Sequence, residues 1–377
     1  MFVMDLMGVS DRKSWEAFYR LPFQLFQGDP LWIPPLISEQ KRQLDVSRNP
    51  FFKHCTYKAW LVADGGRVEG RIVAFVDDLF SGSSRPTGFI GFFECANSQP
   101  AANALFVAAK KWLKDKAVGQ VCGPMNLSIG NECGVQLSGF EFPPVIQMNY
   151  TPPYYRELFE RAGFTKEHDM YAYRMTAGEV KNRELFLNRL EQTGSNAIEK
   201  AGIRVRTLNL RNYKQELRHI MDIYNATMRE NWGFTPATWE EMYYSSAPLK
   251  EIVDKELVFL AEADGKVVGC SISVPDVNQV MRHIRDGKLF PTGLFKFLYY
   301  RSRMDGFRLI FLGVRREYRL KGLDALFYLH TMRRAVELGY EQAELSWISE
   351  DNQNLIRIMD KIGADRYKTY RMYRQDV

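Results

Sequence analysis

Apolar and polar positions alternate, roughly every second residue, in two stretches of this chain, Lys58 to Val76 and Glu256 to Val274. They read KAWLVADGGRVEGRIVAFV and ELVFLAEADGKVVGCSISV, each a strand, an Asp-Gly turn and a second strand. Period-two alternation predicts strands, and a glycine that accepts positive φ predicts a tight hairpin between them. A further apolar strand follows each hairpin, Gly88 to Cys95 and Arg308 to Val314. Helical spacing then begins, over Ala101 to Asp115 and over Ala325 to Leu338, where Leu326, Leu329, Met332, Val336 and Leu338 form a stripe. Each half next offers another strand, a short helix ending in glycine (Tyr154 to Phe164, Asn352 to Ala364) and a similar tail, MYAYRM or TYRMYR. Five matching elements in one order predict two copies of a single mixed α/β unit.

That repeat sets the expected organisation. Residues 1–175 form a first domain, 176–200 a polar, helix-prone linker, and 201–377 a second domain carrying an insertion at 276–307. The expected fold class is mixed α/β. Two tandem domains each have a twisted, mostly antiparallel sheet flanked by helices. Five scattered cysteines without a Cys-x-x-Cys pair fit reduced thiols in a cytoplasm, and neither they nor the histidines have metal spacing. No secretory leader and no bilayer-length apolar run is read in the sequence. The net charge of +6 suits anionic ligands such as a nucleotide or lipid headgroups, and is too modest to argue for nucleic acid.

Three segments hold candidate chemistry. The turn Arg319-Leu320-Lys321-Gly322 lies between a strand and a helix, where unpaired amides and the helix dipole favour an anion and glycine admits it closely. The first half has no such basic turn; GFFECANSQPAANAL offers Glu94 instead. GPMNLSIGNECG, Gly123 to Gly134, gathers Asn126, Ser128, Asn131, Glu132 and Cys133. It reads either as a turn satisfied by its own asparagines or as a contribution of Glu132 and Asn131 to a site between the halves. The insertion segment 280–303 interleaves six Lys/Arg with Phe290, Phe295, Phe297, Tyr299 and Tyr300. Such a segment is either a packed lid or a peripheral contact with an anionic membrane.

Arg319 to Gly322 resembles the coenzyme A pyrophosphate loop of the GNAT superfamily, Arg/Gln-x-x-Gly-x-Gly/Ala. Asp324 departs from it by standing where the family has a small residue. The order of elements resembles the GNAT order across most of the chain, more closely from about Gly202 onward. The pattern PFFKH, GFFEC, GPMN, NECG, TPPYY and ELSW resembles a bacterial tandem group that includes ceramide synthase-like proteins. This resemblance implies a degenerate first copy and a second copy that holds acetyl-CoA or a longer acyl-CoA as co-substrate, without a metal. It implies cofactor contacts from Leu312, Val314, Arg319, Lys321, Gly322, Leu323 and Asn352, although Asn352 also reads as a helix cap.

It further implies acyl transfer to a primary amine, with a long-chain sphingoid base as the expected acceptor. The enzyme would be cytoplasmic, or peripheral on the inner face of the cytoplasmic membrane. Alternatives are acetyl transfer to a small soluble amine, or a non-catalytic acyl-CoA-binding protein. The usual family tyrosine, seven residues after the asparagine, is replaced by Met359; either no proton donor is needed or another group serves, with Tyr367 and Tyr370 as candidates. Glu344, sharing a strand face with Ser346, is the expected base, with Glu350 behind it and Glu132 a contributor from the first half.

Overall fold

The computed structural model describes residues 4–80, 83, 85–319 and 322–377. The first half runs β1 (Asp5–Gly8), α1 (Arg12–Leu25), α2 (Ile37–Gln43), β2 (Cys55–Asp64), β3 (Arg67–Asp77), β4 (Thr87–Cys95) and α3 (Gln99–Lys114). It continues through β5 (Gln120–Gly123), β6 (Val135–Ser138), α4 (Tyr155–Arg161) and β7 (Thr165–Thr176). Two helices, α5 (Ala177–Asn182) and α6 (Glu184–Lys200), make the connection. The second half runs β8 (Arg204–Thr207), α7 (Tyr213–Thr227), α8 (Trp239–Lys250), β9 (Val258–Ala263), β10 (Lys266–Pro275), α9 (Asn278–Met281) and α10 (Thr292–Arg301). It ends with β11 (Gly306–Val314), α11 (Leu323–Glu337), β12 (Gln342–Ser349), α12 (Gln353–Ile362) and β13 (Asp365–Asp376).

Both expected hairpins form. Gly65 and Gly66 close the first and Asp264 and Gly265 the second, all four at positive φ. Two consecutive positive-φ residues give a turn whose twist matches that of the strands it joins.

The strands make one sheet, in the order β1-β2-β3-β4-β5-β13-β7-β12-β11-β10-β9-β8, with β6 also paired to β13. The halves therefore do not close on their own tails. β13, at the end of the second half, lies against β5 of the first, and β7 of the first lies against β12 of the second. The two exchanged tails pair antiparallel with each other at the centre of the sheet. Each half ends its internal pairing in a parallel couple, β4 with β5 and β11 with β12, which leaves an outer edge open. An open edge seeks a strand, and each edge here takes the tail of the other half. The exchange buries Met170, Ala172, Tyr370 and Met372 in a core cluster that also holds Phe18, Phe75, Phe89 and Met125 from the first half.

Candidate functional site

The parallel couples mark where each sheet opens. In the second half β11 pairs with β12 only from Gly306 to Leu309, opposite Gln342 to Leu345. At that point β11 carries an extra residue, Ile310, between the partners of Ser273 and Ile272 on β10. Such a bulge bends the strand and re-aims its main chain. Beyond it, Phe311 to Val314 continues against β10 with no partner on β12, so the two strands part.

The first half has a matching irregularity, because three steps of β4 from Gly91 to Glu94 face two steps of β3. Its gap is filled by the chain's own backbone. The Met125 amide donates to the Ile90 carbonyl at 2.8 Å, and the Phe92 amide donates to Asn126 Oδ1 at 2.7 Å. A Cβ on Gly91 would lie 1.9 Å from the Met125 carbonyl oxygen. The Gly123–Gly134 segment thus plugs the first opening and leaves the second as the candidate cleft.

Glu344 projects from β12 where the strands separate. It is 3% exposed, and Arg308, Lys368 and Tyr370 around it are 3%, 0% and 0% exposed. Tyr367 Oη donates to Glu344 Oε2 at 2.5 Å. Tyr367 occupies a bulge, the extra residue between Arg366 and Lys368 in the pairing of β13 with β7. Arg308, directly opposite Glu344 on β11, donates from Nε to Ser346 Oγ at 2.9 Å and from Nη1 to the carbonyls of Ile146 and Gln147, both at 2.8 Å. Lys368 Nζ donates to the Pro143 carbonyl at 2.8 Å. Asp276 accepts from the Ile146 amide at 2.8 Å.

The cluster thus combines carboxyl groups with cations, and the two halves meet in it. Burial pushes the Glu344 carboxyl up to about 7, against the Tyr367 hydrogen bond and the charges of Lys368 and Arg308. Burial likewise pulls Lys368 down to about 8 and pushes Asp276 up to about 6. Among the described residues, Glu344 Oε1 and Tyr370 Oη are buried with no hydrogen-bond partner. Buried polar atoms left without a partner can bind, or exchange a proton with, a group that enters.

Expected site residues fall into distinct situations. Glu344 and Tyr370 come together, Tyr370 packed edge-on against Trp347 with centroids 4.5 Å apart. Glu132 reaches the same interior from the first half. Burial raises its carboxyl, Asn126 Nδ2 donates to it at 2.9 Å, and Arg308 acts on it electrostatically. Asn131 follows the plain reading, since its Nδ2 donates to the Asn126 carbonyl and to Ser128 Oγ within the turn. Glu350 is engaged elsewhere: it is paired with Lys166 Nζ at 2.5 Å and accepts from the Asp169 amide at 3.1 Å.

Leu312 and Val314 lie on the stretch of β11 past its parting from β12. Gly322, at φ +81°, is the N-cap of α11, with Leu323 as its first residue and Asp324 in the first turn; among the described residues it has no side-chain capping hydrogen bond. Gly194 of α6 approaches this bend, 3.7 Å from where a Gly322 Cβ would stand. Arg319 folds back, donating to the carbonyls of Val314 at 3.1 Å and Thr227 at 3.4 Å. Lys321 lies outside the described residues. Asn352 caps α12, its Oδ1 accepting from the Leu355 amide at 3.1 Å. A glycine without a Cβ, an uncapped helix start and a strand edge with no partner suit a diphosphate and the amide chain behind it. The carboxylate of Asp324 opposes them.

Sequence reasoning missed Arg308, Lys368 and Asp276. The available signal was a lone cation inside an apolar or tyrosine-rich strand, since a charge at an inward position must be paired or functional. In the insertion, Phe297 and Tyr300 are half-buried, Tyr300 stacked on His283, whereas Leu298 is exposed. The packed-lid reading therefore holds for only part of it.

No model of a known protein family matches the chain. Over 382 residues it is 33% identical to the bacterial ceramide synthase of Caulobacter vibrioides (strain NA1000 / CB15N), covering 98% of this chain and 97% of that protein. It is 29% identical to Protein YghO of Escherichia coli (strain K12), covering 97% and 94%. Among solved structures it resembles the tandem GNAT protein from the clavulanic acid biosynthesis pathway, with a TM-score of 0.56, 13% identity and 99% and 98% coverage. It also resembles a GCN5-related N-acetyltransferase from Sphaerobacter thermophilus, with a TM-score of 0.52, 13% identity and 99% and 95% coverage. At such identities the structural likenesses speak for the fold, and the whole-length sequence match speaks for the lineage. The chain has the fold of tandem GNAT proteins and belongs to the family of the bacterial ceramide synthase.

Proposed function

We propose that this chain is an acyl-CoA-dependent N-acyltransferase whose acceptor is the primary amine of a long-chain sphingoid base. The observation that carries the proposal is Glu344: a buried carboxyl held at about 7, one oxygen unpartnered, beside the parting of β11 and β12. An amine is protonated at neutral pH and must lose a proton before it can attack. A carboxylate of matched pKa at the cleft can take it. Acyl-CoA would supply the activated acyl group as a thioester. Its diphosphate would be held by the amides of Gly322 and Leu323 with Arg319 and Lys321, and its amide chain by the main chain of Leu312 and Val314. Asn352 would bind it through the amide nitrogen that its capping role leaves over. Tyr370 Oη would return a proton to the departing group, and Glu132 would complete the polar wall from the first half.

Two features support a lipid acceptor over a small soluble amine. The chain matches the Caulobacter protein along nearly its whole length, not at the cofactor loop alone. The core cluster containing Tyr370 is also apolar and aromatic, with Phe92, Met125, Met148, Trp232 and Trp347 at or against it. Apolar packing of this kind next to Glu344 suits a hydrocarbon tail better than a hydrated polyamine.

The test is to incubate purified protein with a long-chain acyl-CoA and a long-chain sphingoid base, and in parallel with acetyl-CoA and a small diamine. Mass spectrometry should find the lipid amide in the first mixture. An amide formed only in the second would move the assignment to small amines, and none in either would leave a binding protein.

A further inference from the structure

The insertion between β10 and β11 leaves large apolar side chains outside the fold. Phe290 is 68% exposed, Phe295 73%, Leu298 57% and Tyr299 57%. Phe295, Leu298 and Tyr299 follow helical i, i+3, i+4 spacing on α10 and so share one face. Single exposed apolar residues are ordinary, but several on one face mark a surface that is covered in use. Exposed cations lie in the same segment, namely Arg282, Lys288, Lys296 and Arg301, and the Arg303 guanidinium lies 4.3 Å from the Tyr299 ring. Segment 280–303 holds six Lys/Arg against the single acidic Asp286.

The base of this segment is fixed to the protein. Ile37 donates its amide to the Gly287 carbonyl at 3.0 Å, and Arg285 Nη1 donates to the carbonyls of Asp29 at 3.2 Å and Trp32 at 2.9 Å. The segment is also one loop away from the buried carboxyl. Asp276 and Asn278, at its start, bind the Ile146 amide and the Pro144 carbonyl. The same loop supplies the Pro143, Ile146 and Gln147 carbonyls that hold Lys368 and Arg308 beside Glu344.

We infer that the α10 face of Phe295, Leu298 and Tyr299, preceded in the chain by the exposed Phe290, docks on an anionic lipid bilayer, bringing the Glu344 site to a membrane-borne amine. The cation excess favours lipid phosphate over a protein partner, and a convex helix face suits a bilayer better than a groove-seeking peptide. The inference rests on the lipid-amine reading for its purpose, but docking is measured without catalysis.

Flotation of the full chain with vesicles of phosphatidylcholine containing phosphatidylglycerol should carry the protein upward, and vesicles of phosphatidylcholine alone should carry much less. Binding should fall in about 1 M salt, where charge attraction is screened within about 3 Å. The double variant F295S/L298S should lose vesicle association about tenfold or more, since two apolar side chains no longer enter the interface. Its melting temperature and its turnover of a short-chain, water-soluble amine should stay at wild-type values. Equal flotation of variant and wild type, or wild type that stays below anionic vesicles, overturns docking. So does light scattering that finds a wild-type dimer dissolved by the double substitution, which would make the face a self-association surface. Wild type that floats yet acylates only small amines would sink the lipid-acceptor reading and leave docking standing.

Discussion

At the scale of single residues, the site depends on how buried charges balance. Glu344, Asp276, Arg308 and Lys368 sit in one interior, and none would be stable there alone. Glu344→Gln keeps the shape and removes the proposed base. It should lower kcat by about 10²–10⁴-fold with acyl-CoA affinity unchanged, read by steady-state kinetics alongside calorimetric binding. In the wild type, kcat/KM should rise with pH through about 7 as Glu344 loses its proton, and the variant should lose that limb. The stability sign is the reverse. The folded pKa lies above the unfolded value, so the folded protein holds an extra proton between them and this group's contribution falls as pH rises from about 4.5 to about 7. Arg308→Met leaves Glu344 with less compensating charge. It should destabilise the fold by about 3–5 kcal/mol in urea titration and move the kinetic limb to higher pH, because ionising Glu344 becomes harder. A limb that stays put would mean Arg308 does not sense Glu344.

At the scale of elements, the hairpins, the helix after each third strand and the short helices ending in glycine could all be read from residue order, because local periodicity and turn chemistry create them. Asn352 as a cap was legible for the same reason, since a cap is satisfied within one turn. What Arg319 does was not legible: a cation in a turn can face a ligand or fold onto nearby carbonyls, and which one depends on where Val314 and Thr227 lie. Gly322 tests the bend itself. Its φ of +81° strains any side chain, so Gly322→Ala should cost about 1 kcal/mol in stability. It should also raise the KM for acyl-CoA severalfold by standing off the diphosphate, with little change in kcat. An unaltered KM would remove the bend from the binding site.

At the scale of the whole molecule, the exchange of β7 and β13 ties the halves into one sheet. His54 adds a second tie, its two ring nitrogens 2.8 Å from Asp77 and 2.7 Å from Glu241 of α8. Truncation before Asp365 would take the central strand from the first half as well as the second, and should leave no cooperatively folded protein by calorimetry. The intact chain should melt in one transition; two resolved transitions would argue that the tails do not couple the halves.

The linear chain by itself determined the repeated unit, the hairpins, the basic glycine turn and Glu344 as a strand carboxylate sharing a face with Ser346. Each of these follows from neighbours within a few residues or from a fixed period. Only the tertiary structure decided that the tails trade places, that the first opening is plugged by Met125 and Asn126, and that Arg308, Lys368 and Tyr367 converge on Glu344. Those outcomes join residues tens to hundreds of positions apart. Their energies come from burying charge and closing open strand edges, and neither leaves a periodic mark along the chain.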